Sequence, residues 1–421
     1  MKRISTGLNN SDVQYRLRLH ESKLNHANNQ LGSQRRLQQL RDDPIAAGHL
    51  VRYQSFKGRI DTFETNAQTL TEKFTIREGY MNDSLQIMHR IRELAVTAAN
   101  GTYTKDDMVN MSSEVDELLK ALIQNANAVD QDGNALFAGT NTKTTAFETE
   151  MGNVPGSAVP LIQAVTYNGN VASNKIEVDE NQYMEVNNSG NRTFWAEHQQ
   201  LFTERDASGW QANQDSVISV DGHEIKINRG DNVYSLIAKI NDSGAAVKAS
   251  IDPVSNGLNL VTTDPRQLWL EDVSGTTFTD LGVISSPEQR PPYNLAVNAK
   301  VSGGSMFDSV IALRDAMLAG DQEAIGGRVL GTVDQSMNNL VTRIAELGSS
   351  HEWASLNITR NSNTSLNVTQ MISTEGDLDF TKAVTDMKML DYVHQATLSV
   401  AGILYSSSLL IYMRLIICRR C

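Results

Sequence analysis

The chain has 421 residues and a mass of 46.4 kDa, enough for two or three compact domains. Apolar residues make up 40% and charged residues 20%, which excludes wholesale disorder. The net charge of −12 argues against a dedicated nucleic-acid binder, although residues 1–60 hold eleven Lys/Arg against four Asp/Glu, a balance of +7 that leaves −19 for the remainder.

The N-terminus, MKRISTGLNNSDVQYRLRLH, has basic residues but no apolar run behind them, so no secretory signal peptide is expected. Leu17, Leu24 and Leu31 then repeat at a spacing of seven. Asp42-Asp43-Pro44 should interrupt this first helix, because proline disfavours helix at the residue before it and carboxylates suit the next helix start. A longer record follows. Ile60, Ala67, Phe74, Met81, Met88 and Ala95 step by seven, and Phe63, Leu70, Arg77, Ser84, Ile91 and Ala98 lie three residues on. Ten of these twelve positions are apolar, which suits a coiled-coil seam or an ordinary bundle core helix.

Proline marks the organisation. Seven of the eight prolines lie between Pro155 and Pro292, and residues 45–154 and 293–421 contain none. Two long helical arms therefore flank a β-rich insert. Within the insert, SVISV-DG-HEIKI (Ser216–Ile227) reads as a hairpin on a type I′ Asp221-Gly222 turn. A short helix around Asn232–Asn241 and a second hairpin across Asn256-Gly257 complete a ββαββ unit over 216–263, while 141–210 reads as a separate set of strands. In the last arm Met387, Leu390, Ala401, Leu404 and Ile411 share one seven-residue frame, interrupted by His394, Thr397 and Ser408. The two arms are expected to pair antiparallel, giving an elongated α+β protein with the insert at the tip.

Catalytic motifs fail on inspection. His351-Glu352 starts like a zinc-protease helix, but Ser355 stands where the second histidine belongs. Asp130-Gln-Asp-Gly-Asn134 resembles a calcium loop with its glycine too early and no closing Glu. No phosphate-binding glycine loop or nucleophile elbow occurs. Both cysteines, Cys418 and Cys421, lie in the last four residues, which rules out a disulfide framework for the body. No catalytic residue, cofactor or metal site is expected. Tyr392–Met413 is a 22-residue run without Asp, Glu, Lys or Arg, long enough for a bilayer. Its His, Gln, Thr and Ser content and its heptad frame favour a helix buried against other helices.

The opening RIST (Arg3–Thr6), QLGSQRRLQQLRDDPIAA (Gln30–Ala47), IRELAVTAANGT (Ile91–Thr102) and the closing LSVAGILYSSSLLIYMR (Leu398–Arg414) resemble the signatures of the bacterial flagellin superfamily. NALFAGTNTKTTAF (Asn134–Phe147) and VTYNGN (Val165–Asn170) resemble the hook–filament junction branch, hook-associated protein 3, more than filament flagellin. The 216–263 unit is similar to the hook IN repeat. The resemblance implies a structural axial protein of the flagellum that joins hook-associated protein 1 to flagellin and catalyses nothing. It also implies an export chaperone as partner, a homo-oligomeric ring, export without a cleaved signal, and a place outside the cell or, with spirochaete-type flagella, in the periplasm. Neither nucleic acid nor a membrane anchor is expected as a partner.

On this reading residues 1–43 and 375–421 form the polymerising inner layer, 44–140 with 305–374 the helical bundle, and 141–304 the insert. Leu17, Leu24, Leu31, Met387, Leu390, Leu398, Ala401, Leu404 and Ile411 would carry self-association, Asp42, Asp43 and Pro44 the arm break, and Ile60, Phe63, Leu70, Phe74, Met81, Met88 and Ile91 the intrachain seam. Two departures stand out: the tail LIICRRC runs past the usual end, and Arg41 replaces the usual Ser before the DDP signature. The competing readings are filament flagellin itself, or a secreted or tail-anchored coiled-coil adhesin with the insert as its binding head.

Overall fold

A computed structural model describes the backbone of residues 6–417 and the side chains of residues 11–403. The side chains of Leu404 and Ile411, and all of Cys418 and Cys421, lie outside the described residues. Without proline to break them, the arms form long helices: α1 (Thr6–Ser33), α2 (Pro44–Ala98) and α3 (Lys105–Ala126) at the front. Pro44 opens α2, where its missing N–H costs nothing. The middle holds β1 (Phe147–Gly152), β2 (Leu161–Tyr167), β3 (Lys175–Asp179), β4 (Gln182–Glu185), the short α4 (Gly190–Thr193) and β5 (Gln200–Thr203). Next come β6 (Ser216–Val220), β7 (His223–Ile227), α5 (Val233–Asp242), β8 (Val247–Ile251), β9 (Leu258–Thr262), β10 (Leu270–Ser274), α6 (Thr277–Asp280) and β11 (Ala299–Ser302). The chain returns through α7 (Met306–Ala319), α8 (Gln322–Ala324), a π-helical turn Ile325–Val329, α9 (Leu330–Gly376) and α10 (Phe380–Ile417).

Residues 1–64 and 359–421 make one compact unit and residues 65–358 a second, so α2 and α9 contribute to both. In the first unit α1 pairs with α10. The end of α1 and the start of α10 meet at an Arg35–Asp377 bridge, so the pair is antiparallel. In the second unit α3 pairs with α7, while Arg92–Asp334 (2.6 Å) and Thr75–His351 (3.4 Å) tie α2 to α9 in antiparallel register. Of the twelve heptad positions on α2, eleven are buried and Phe63 is half-buried. The buried set includes Arg77 and Ser84, the two polar interruptions. Burial pushes the Arg77 guanidinium down to about 10, and Nη1 donates to the Val186 carbonyl. The answering stripe on α9 is Val333, Leu340, Leu347, Ala354, Asn361 and Val368, all buried at steps of seven.

The strands divide between two cores. β1–β2 and β3–β4 are separate antiparallel pairs, and Ile162, Tyr167, Val178 and Met184 pack with the helices of the second unit in one core. The second core lies between a β10–β6–β7 sheet and a β11–β5–β9–β8 sheet, with α5 against them. The ββαββ order over 216–263 is present, but its two hairpins lie in different sheets. Asp221 and Gly222 both take positive φ (51° and 80°), as a type I′ turn requires. The second hairpin turns differently. Its loop, Asp252–Gly257, is organised by the Asp252 carboxylate, which accepts from the Val254 and Ser255 amides, and only Asn256 is left-handed. Strand β5, grouped by sequence with 141–210, instead pairs with β9 and β11.

Candidate functional site

The terminal helices α1 and α10 carry apolar side chains that the chain covers to different degrees. Leu17, Leu24, Leu31, Met387 and Leu390 are half-buried and Ala401 is buried, while Leu398 is exposed. Most of the frame picked out by sequence is thus partly covered within the chain. A second stripe remains open. Met389, Val393, Val400 and Ile403 on α10 are exposed at steps of four, seven and three, with exposed Ala396 between them and Tyr392 alongside; Tyr15 and Leu19 on α1 are exposed as well. That spacing is the spacing of a heptad seam, and on the described residues it lies open to solvent. Sequence counting found one frame because α10 is apolar on two adjacent faces.

Both helical arms break at the same level. Asp42 accepts from the Gln38 and Gln39 amides, closing a turn, and Asp43 accepts from the Ala46 amide at the start of α2. These bonds to the charged form hold both carboxyls below the usual range. Across the joint the Arg36 amide donates to Gly376 O (2.8 Å), and the Leu378 amide donates to Gln34 O (3.1 Å). The Arg36 guanidinium donates to Glu375 O (2.8 Å) and reaches Asp43 (3.3 Å). One arginine therefore binds the outgoing break to the returning one. Arg41 is exposed, and the α2 start is capped without it.

The Asn134–Phe147 stretch forms the aromatic centre of the second unit. Phe147 lies 5.0 Å from Phe307, 5.6 Å from Phe194 and 5.2 Å from Tyr167 between ring centroids, and Phe137 lies 5.0 Å from Phe194. These spacings suit edge-to-face packing. Gly139 has φ of 66°, and a Cβ there would run into Asn170; a Cβ at Gly190 would meet the Phe147 ring. The VTYNGN stretch closes the same cluster, its Tyr167 hydroxyl reaching Asn170 O (2.9 Å) and Phe137 O (3.0 Å) and accepting from the Gly190 amide.

Burial pushes the Tyr167 hydroxyl up to about 12 from 10.0. A raised pKa gives stability that is whole below pH 10 and is lost as pH climbs through 12, about 2–3 kcal/mol in all. Urea titrations from pH 9 to 12 should show that slope in the wild type and a smaller one in Tyr167→Phe. Equal slopes would discard the assignment.

Among the described residues no group of three or more His, Cys, Asp or Glu is placed to hold a metal. His351 bonds to Thr75, and Asp130 accepts from the Asp132 and Asn134 amides, so its loop is a closed turn. No described helix is long and apolar enough to cross a membrane. An open groove of about 820 Å³ between β3–β4, the β6–β7 turn and α9 is floored by Arg192, Arg266, Arg343, Asp221 and Glu346.

These features define a helical-arm structural subunit with an inserted β unit. The description "Bacterial flagellin N-terminal helical region" matches residues 4–142, "Bacterial flagellin C-terminal helical region" matches 330–413, and "Flagellin hook IN motif" matches 212–264. The chain belongs to the bacterial flagellin superfamily and is a structural component of the flagellum. Flagellar hook-associated protein 3 of Escherichia coli K12 is 24% identical over 257 residues, 61% of this chain and 74% of that protein. Flagellin A of Vibrio cholerae is 23% identical over 403 residues, 94% of this chain and 95% of that protein. The solved flagellar hook associated protein-3 of Legionella pneumophila aligns with 76% of this chain and 97% of its own, at 14% identity and a TM-score of 0.46.

Proposed function

We propose that the chain is the junction subunit between hook and filament. It would polymerise as a ring that presents one lattice to hook-associated protein 1 and another to flagellin. The observation that carries this reading is the Asn134–Phe147 stretch, the part of the sequence that resembles the junction branch, folded as the aromatic centre of the helical unit. The match to hook-associated protein 3 supports it. The longer match to a flagellin favours filament flagellin as the second reading. Residues 1–43 and 375–421 would form the inner layer, 44–140 with 305–374 the bundle, and 141–304 the insert. Export would pass without a cleaved signal, aided by a chaperone on the C-terminal arm. The role is mechanical, with no reaction catalysed. A strain lacking the chain should carry hooks without filaments and release unassembled flagellin into the medium; intact filaments would sink the reading.

Self-association would use the open stripe of α10, with Leu17, Leu24, Leu31, Met387 and Leu390 holding α1 and α10 together beneath it. A carboxylate placed on a face that becomes buried is costly. Val400→Glu should therefore be exported normally and keep its helical content, yet be at least about tenfold scarcer in isolated flagella, a penalty of about 1.4 kcal/mol or more. Incorporation at the wild-type level would move the interface elsewhere.

A further inference from the structure

Two hydrophobic cores are joined across a polar boundary. The insert core draws on Leu201, Ile218, Val233 and Leu260, while the helical core draws on Phe147, Phe194, Phe307 and Leu340. The chain crosses between them at a narrow neck: the Ala196 and Glu197 amides donate to Gly304 O, and β5 enters beside the departing β11. Gly303, on that neck, has φ of 92°, and a Cβ there would meet the His198 carbonyl. Of the buried apolar side chains in residues 200–302, Trp269 joins the helical core, with its ring 6.0 Å from Tyr167.

The remaining fastening is polar: the Gln267 amide donates to Asn191 O (3.1 Å) and Asn191 Nδ2 donates to Gln267 O (3.3 Å), and beside this pair lies an ionic cluster centred on Asp264. Its carboxylate accepts from Arg343 Nη2 (2.8 Å) on α9 and Arg192 Nε (3.4 Å) on α4, and from Arg266 Nη2 (2.8 Å) beside it. Arg266 also pairs with Asp221 at the β6–β7 turn, while Arg343 and Arg192 share Glu346. Asp221, Asp264 and Arg266 belong to residues 200–302; Arg192, Arg343 and Glu346 flank the helical core. Of the insert's carboxylates in this cluster, Asp264 is the one that reaches the helical arginines. A charge pair of this kind fixes orientation more than it adds stability.

We propose that residues 200–302 form a hinged body, turning on the 195–199/302–305 neck and latched to the helix bundle by Asp264 against Arg343 and Arg192. With the latch closed the insert has one orientation. With it open the 200–302 body rocks about the neck and the retained Trp269 and Asn191–Gln267 contacts, while both cores stay folded. Such a device lets one subunit type meet neighbours of different lattice without refolding, and it holds whichever flagellar position the chain occupies.

The test is a distance distribution between spin labels at Lys120→Cys on α3 and Val254→Cys at the exposed insert turn, in full-length chain with Cys418 and Cys421 replaced by Ser. The unmodified latch should give one narrow distribution. Asp264→Asn and Arg343→Met should each broaden it and make the neck amides exchange roughly tenfold faster, the change that a loss of about 1.4 kcal/mol produces. Both variants should keep cooperative urea unfolding. Glu346→Gln, which leaves the Asp264 contacts in place, should stay narrow. A narrow distribution in both latch variants would overturn the proposal. So would loss of folding in both, which would make the cluster part of a single core; if only one folds, its distribution decides.

Discussion

Phe147→Ala is expected to destabilise the second unit by about 3–5 kcal/mol, the range for truncating a fully buried aromatic. Phe147 is 2% exposed and touches rings from three separate segments: Tyr167 on β2, Phe194 after α4 and Phe307 on α7. Its backbone is pinned too, since its amide donates to Asn127 Oδ1 (2.8 Å) and its carbonyl accepts from Asn127 Nδ2 (2.8 Å). The site is therefore poorly able to collapse around a cavity. Phe147→Leu should cost clearly less. The readout is the urea midpoint by circular dichroism at unchanged m-value. A loss below about 1 kcal/mol would mean that the cluster relaxes around the void.

Arg314→Ala should be of similar size, about 3–5 kcal/mol, for a different reason. Arg314 is fully buried on α7, where Nη1 donates to Asp116 Oδ1 (3.1 Å) on α3 and Nε and Nη2 donate to Asp315 (2.9 and 2.8 Å). Asp116 is itself 6% exposed and otherwise pairs with Lys120 (2.9 Å). Removing the guanidinium leaves a nearly buried carboxylate with the exposed Lys120 as its remaining partner, and that loss of buried compensation is what costs. The double variant Arg314→Met/Asp116→Leu removes both charges at similar volume and should recover most of the loss. Equal loss in the single and double variants would assign the effect to packing.

The parts that sequence revealed are those with a local cause. The α2 seam is legible because a period of 3.5 is written in apolar residues from Ile60 to Ala98, and it carries Arg77 and Ser84 into the core with it. The Asp221-Gly222 hairpin is legible because a type I′ turn needs two residues at positive φ. The α9 stripe escaped because Asn361 occupies a seam position and buried Asn357 lies close by, so the pattern looks polar. The place of strand β5 is not legible because its partners, β9 and β11, lie about sixty and a hundred residues away, and no local signal records such pairing. The open face of α10 is hidden in the sequence because Met389, Val393, Val400 and Ile403 run beside Met387 and Leu390, and one heptad frame admits only one stripe. The ionic latch was invisible for a related reason: Asp264 and Arg343 are 79 residues apart.

A place between hook and filament is tested most directly by immunogold labelling of isolated flagella. A single band of label between hook and filament is the predicted result. Label along the whole filament would contradict it and make the chain a flagellin.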